Sequence, residues 1–102
     1  MVKWNKFAKN LPSKIQVSSN TKYEVLTIKE FKESDTMGET RFEARQIVLK
    51  QGLPAKDQVE TFFHELLHAF SDEYGINLTE RQIINMEYML PYLIKFVKII
   101  DK

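Results

Sequence analysis

Both histidines of this chain fall in one five-residue segment, His64-Glu65-Leu66-Leu67-His68. Residues four apart in an α-helix stack on the same face, about 6 Å apart along the axis. Two imidazoles so placed can each turn a nitrogen toward one Zn2+ at about 2.0–2.1 Å. Glu65 projects about 100° around the helix from His64. From there its carboxylate reaches a water held by the metal without being a ligand itself, the position of a general base. The rival reading of a helical histidine is a surface residue or a core residue satisfied by its neighbours. Against it stands an apolar setting of Phe62, Phe63, Leu66, Leu67 and Phe70, in which two imidazoles on one face are hard to satisfy without a shared ligand.

Catalytic zinc usually has a third protein ligand as well as a water. With no cysteine and no further histidine in the chain, that ligand must be a carboxylate. Asp72 continues the ladder but lies about 12 Å along the axis from His64, too far to share its metal. Glu73 would serve only if the helix broke early. The stretch Tyr74-Gly75-Ile76-Asn77 lets the chain reverse, and beyond it Glu80 and Glu87 stand about two turns apart on roughly one face. Glu80 is nearer the turn and is preferred, with Glu87 left open. Asp72 and Glu87 are also the carboxylates available to orient a histidine through its other ring nitrogen.

The elements that must position these residues can be read along the chain. Val59, Phe62, Phe63, Leu66, Leu67 and Phe70 repeat at helical spacing between Pro54 and Gly75, with Asp57 in the early turns. Asn77 or Thr79 can cap a last helix whose inward stripe is Ile83, Met86, Leu90, Leu93, Ile94 and Val97, with Arg81, Gln82, Asn85 and Lys95 mostly outward. Its end, Lys95 to Ile100, reads as the last turns of a core-packing helix, with lysines favourable at the C-terminal dipole. In the first half, Lys14 to Ser18 and Tyr23 to Phe31 flank a polar turn and suit a hairpin. The segment from Lys32 to Thr40 reads as an exposed loop, and the run Ile47-Val48-Leu49 as a strand ending by Gly52. Trp4, Phe7, Ala8 and Leu11 suit a short amphipathic helix stopped by Pro12.

Strands first and helices after make the expected fold class α+β. A small N-terminal antiparallel or mixed sheet would pack on the histidine helix and on a C-terminal helix bearing the glutamate. With 102 residues and no linker or change of composition, the whole chain, 1–102, reads as one domain. Hydrophobic residues make up 43% and charged residues 28%, which excludes disordered and low-complexity classes. A net charge of +1 supplies no basic field for a phosphate backbone, so nucleic acid is not an expected partner. No stretch approaches the roughly 20 apolar residues that span a bilayer, and the N-terminus has no apolar core of a secretory signal. The expected location is cytoplasmic, with no membrane partner.

His64-Glu65-Leu66-Leu67-His68-Ala69-Phe70 followed by a downstream glutamate resembles the gluzincin zinc metallopeptidases. Its size is similar to the minigluzincins and the IrrE/ImmA-like proteins of phages and mobile elements. The likeness runs from about Lys14 to Leu93 and is most specific across the histidine motif and the segment from Glu73 to Glu80. It implies a zincin-like fold, a Zn2+ cofactor, a peptide or protein substrate, and hydrolysis of peptide bonds with Glu65 as base. It also implies Glu80 as third ligand, since Glu80 to Leu90-Pro91 reproduces the spacing of the family's ligand to a Leu-Pro pair. The strand before the motif helix would pair with an extended substrate, a role that falls to Arg45 through Leu49, with Gln46, Ile47 and Val48 at its centre. Tyr74, Tyr88, Tyr92 and Arg81 are the candidates to stabilise an oxyanion. Two departures from the pattern are the short spacing of 11 residues between His68 and Glu80, and Ile84 where many gluzincins carry an aspartate. The alternative is a non-catalytic protein-binding or regulatory module, stabilised by zinc. The short chain favours that reading, whereas Glu65, which metal binding alone does not need, opposes it.

Overall fold

A computed structural model describes residues 2–100, with side chains for residues 2–94. The order of elements is α1 (Trp4–Lys9), β1 (Lys14–Ser18), β2 (Thr21–Ile28), β3 (Gly38–Arg41), β4 (Gln46–Lys50), α2 (Ala55–Tyr74) and α3 (Glu80–Ile100). Together they form a small α+β fold in which a four-stranded mixed sheet packs on α2 and α3 packs on α2.

The sheet order is β1-β2-β4-β3. β1 and β2 make the expected antiparallel hairpin, with Ile15 opposite Tyr23. β4 then returns parallel to β2, Val25 beside Ile47 and Thr27 beside Leu49, so the chain crosses over rather than meandering. β3 closes the far edge, antiparallel to β4 with Thr40 opposite Ile47. All of this strand but Arg41 lies within the segment expected to be a loop through Thr40. Gly-Glu-Thr-Arg carries no apolar alternation, and its extended form depends on pairing with β4 and on contact with α2. At Gly38 that contact is close, since a Cβ there would lie 2.6 Å from Thr61 Cγ2 and 3.3 Å from Glu65 Cγ. Glycine lets the edge strand approach the motif helix.

The topology corrects one expectation about function. β4 is flanked by β2 and β3, so the backbone groups of Gln46, Ile47 and Val48 already face strands on both sides and cannot accept a further one. Ile47 and Val48 are fully buried, at 0% exposure. The apolar run that marks these residues as a strand also marks an interior one, and among the described residues the edge beside the motif helix belongs to β3.

Val17, Tyr23, Ile47 and Leu49 from the sheet meet Val59, Phe62, Phe63, Leu66 and Ala69 of α2 in the main core. Phe7 of α1 packs edge-on against Phe63, with ring centroids 6.0 Å apart. α2 runs unbroken from Ala55 to Tyr74 and is followed by Gly75, whose left-handed conformation (φ 63°) ends it in the way glycine permits. Of the expected inward stripe of α3, Ile83 is buried and Met86 and Leu90 are half-buried, but Leu93 and Ile94 are exposed. Leu90 packs against the core cluster and Tyr92 still reaches the edge of Trp4. Pro91 is still fully buried, but at Leu93 and Ile94 the helical period continues without surface to cover. Val97 and the side chains of Lys95 to Ile100 lie outside the described residues. Among the described residues, no helix is long and apolar enough to cross a membrane.

Candidate metal centre

Because α2 is regular through the motif, His64 and His68 share a face and their rings meet edge to face. Their Nε2 atoms are 3.3 Å apart. Two nitrogens held tetrahedrally at about 2.0–2.1 Å from one zinc ion are about 3.3–3.4 Å apart, so the pair has the span that such an ion requires. Glu80 brings a third potential donor to the pair. Its Oε1 lies 3.0 Å from His68 Nε2 and its Oε2 3.5 Å from His64 Nε2. One donor atom from each residue falls within 4.8 Å of the others, and among the described residues this is the one trio of potential ligands that converges so closely. A neutral, neutral and anionic donor set of this kind suits Zn2+ and is compatible with other divalent ions.

Local sequence places Glu80. Thr79 and Gln82 form a reciprocal cap, the Gln82 amide donating to Thr79 Oγ1 (3.1 Å) and the Thr79 amide to Gln82 Oε1 (2.9 Å). That cap fixes where α3 begins and selects Thr79 over Asn77. It sets Glu80 in the first turn, where a carboxylate is favoured by the helix dipole. The side chain stays 63% exposed, so holding its charge beside the histidines carries little desolvation cost.

Glu87 takes the other task left open by the sequence. Its Oε1 is 2.9 Å from His64 Nδ1, and its side chain is only 12% exposed. A carboxylate accepts, so this contact suits the Nδ1–H tautomer of His64, the one whose Nε2 lone pair would face Glu80 and His68. Asp72 does not take this role. Glu73 is removed from the ligand candidates as well, because it accepts hydrogen bonds from Ser18 Oγ (2.6 Å) and Thr21 Oγ1 (2.9 Å) across on the hairpin. Those two donors, the larger influence, hold its carboxyl below the usual range.

Glu65 is 8% exposed and faces β3. Thr40 Oγ1 stands 2.8 Å from Glu65 Oε1 and 2.9 Å from the Glu65 carbonyl oxygen, so its single proton is shared between them. Burial pushes the Glu65 carboxyl above its ordinary value, opposed first by the Thr40 hydrogen bond and then by the two histidines, with Glu80 adding to the rise. A buried carboxylate with raised proton affinity beside two potential ligands is equipped to accept a proton. Nothing local in the sequence pairs Thr40 with Glu65. The two are 25 residues apart, and only the docking of β3 on α2 joins them.

A cleft of about 380 Å3 opens beside His64 and Glu65, bounded by Met37 and Gly38 at the β3 end, by α2, and by Ile84, Glu87 and Tyr88 of α3. Tyr88 is thus the oxyanion candidate that shares a cavity with the base. Tyr74 is turned away, donating its hydroxyl to the Val17 carbonyl at 2.8 Å. Tyr92 is engaged with Trp4, and Arg81 lies exposed at the start of α3. A second, shallower cleft flanks His68 and includes Phe42, Asp72 and Asn77. The two cavities therefore lie on either side of the histidine pair, one toward each end of β3. No family model matches the chain, and neither a curated protein nor a solved structure was found that matches it.

Proposed function

We propose that this chain is a small zinc-dependent hydrolase of peptide bonds, of the gluzincin kind, with His64, His68 and Glu80 as ligands and Glu65 as general base. The observation that carries this reading is the convergence of three donors, with the two Nε2 atoms 3.3 Å apart, next to a buried carboxylate that is not one of them. When bound, a zinc ion supplies an acidified water and polarisation of the scissile carbonyl.

Glu65 takes the proton of the attacking water as its oxygen adds to the carbonyl carbon, and delivers a proton to the amine nitrogen as the C–N bond breaks. Thr40 holds the Glu65 carboxylate in place between these transfers, and Glu87 fixes the ring of His64. Tyr88 is the side chain best situated to donate to the developing oxyanion. The outer edge of β3, which has no strand neighbour among the described residues, takes over the role expected of Gln46, Ile47 and Val48. An extended peptide added there would pass the cleft that Gly38 shares with His64 and Glu65.

The test is a pair of measurements on the wild-type chain and on Glu65→Gln. Metal analysis should give one zinc per chain in both, and a peptide library should be cleaved by the wild type alone. A wild type that binds zinc and cleaves nothing would leave zinc as a structural element of a binding module, and a chain that takes up no divalent metal would end both readings.

A further inference from the structure

The cleft on the His64 side has a one-signed lining. Asp57 and Glu60 project from the first turns of α2, Glu87 from α3, and Glu65 lies at the end nearest the histidines, and among the described residues no lysine or arginine lines it. Lys56, the one lysine or arginine of α2, has its ammonium over the ring of Trp4, 5.9 Å from the centroid. Carboxylates alone do not define a site, but here they surround a cavity continuous with the reacting groups. Its wall also holds Thr61, only 7% exposed, whose hydroxyl has no hydrogen-bond partner among the described residues. Among those residues no fully enclosed side-chain polar atom lacks a partner, so that hydroxyl keeps some access to solvent on a residue that lines the cleft. Met37, Ile84 and Tyr88 add apolar surface along the same cavity.

Resting on the hydrolase reading above, we propose that this cleft binds the side chain of a lysine or arginine flanking the scissile bond, and so selects basic sites in the substrate. Methylene stems suit the apolar wall, and the cationic head meets Asp57, Glu60 and the Thr61 hydroxyl. A second metal ion suits the cleft less well. Asp57, Glu60 and Glu87 do not converge on a point as His64, His68 and Glu80 do, so they match an extended cation rather than a compact one. Crowding of like charge points the same way. Burial above all, and then the charges of Glu87 and Asp57, raise the Glu60 carboxyl against the opposing pull of Lys56. A bound ammonium or guanidinium relieves that repulsion.

The experiment reads binding without turnover. Zinc-loaded Glu65→Gln is titrated against fluorescein-labelled hexapeptides that differ at one scanned position, carrying lysine, norleucine or glutamate, and anisotropy gives each Kd. At one position lysine should bind about tenfold or more tightly than norleucine, and glutamate more weakly than norleucine, with the differences shrinking as salt is raised. The lysine-to-norleucine ratio should fall toward one when Asp57→Asn and Glu60→Gln are added. Equal affinity for lysine and norleucine at every position, including no binding of either, overturns the proposal, as does a preference that survives the added substitutions. Circular dichroism checks each variant. If Glu65→Gln does not fold, initial cleavage rates of the wild type on the same peptides supply the ratio, with Glu60→Gln as the single comparison. A lysine preference in a wild type that cleaves nothing would sink the hydrolase reading and keep the cleft's ligand class, whereas cleavage indifferent to charge would do the reverse.

Discussion

Replacing Glu87 by alanine should weaken zinc binding by one to two orders of magnitude without removing a ligand. The bond at stake is the 2.9 Å contact from His64 Nδ1 to Glu87 Oε1, between side chains that are 22% and 12% exposed. Outer carboxylates that orient a ligating histidine are typically worth about 10–100-fold in metal affinity, or about 1.4–2.7 kcal/mol. A hydrogen bond to a charged group, taken independently, is worth about 1.5–3 kcal/mol. The two routes agree. Glu87→Gln keeps an acceptor and loses only the charge, so its loss should fall between wild type and alanine. Glu80→Ala removes a donor 3.0 Å from His68 Nε2 and should cost more than Glu87→Ala. Glu73→Ala, whose carboxylate is held by Ser18 and Thr21, should leave zinc affinity unchanged. Competition with a chromophoric chelator at fixed pH measures all four. Wild-type affinity in Glu87→Ala would refute the orienting role, and a larger loss there than in Glu80→Ala would make Glu87 the ligand.

Gly38→Ala should destabilise the fold by about 1–3 kcal/mol, because its methyl would press on Thr61 Cγ2 at 2.6 Å and on the Val48 carbonyl at 3.2 Å. Urea unfolding measures this, and an unchanged midpoint would mean that β3 does not sit so close to α2. Thr40→Val takes the donor from a carboxylate that is 8% exposed. It should lower stability by about 1–3 kcal/mol and reduce hydrolysis while zinc affinity holds, whereas Thr40→Ser should restore both; equal behaviour of the two variants would rule out the hydroxyl. Glu73 has its folded pKa below the ordinary 4.5. Its contribution is therefore full above about pH 4.5 and is lost as the pH falls through the lower folded value. The stability gap between wild type and Glu73→Gln should be constant near neutrality and close in acid, and a gap that widens in acid would reverse the assignment.

What was legible in the sequence divides from what was not along the range of the interactions involved. The hairpin, the motif helix from Pro54 to Gly75 and the start of α3 rest on periodicity and on end signals within a few residues, and these could be read. So could the alignment of His64 with His68, which follows from helical pitch alone. β3 could not, because Gly-Glu-Thr-Arg has no pattern of its own and becomes a strand only against β4. The apolar run of β4 identified a strand but not its place in the sheet, where it lies inside while β3 holds the edge beside the motif helix. In α3 the helical period persisted through Leu93 and Ile94, beyond the surface available to bury them.

The sequence by itself determined that two imidazoles and one neighbouring carboxylate would occupy fixed positions on one helix, since spacing of one and four residues in a regular helix leaves no other arrangement. It narrowed the remaining carboxylates to Glu73, Glu80 and Glu87 and preferred Glu80 as nearer the turn, with Glu87 left open because the two share a helix face two turns apart. Only the docking of α3 on α2 divided their tasks, bringing Glu80 to the Nε2 side of the pair and Glu87 to Nδ1 of His64. Tertiary structure likewise took Glu73 away through hydroxyls 55 and 52 residues distant, and gave Glu65 its partner Thr40. Local geometry is written in the chain at short range, whereas which carboxylate meets which nitrogen depends on how separately folded elements pack.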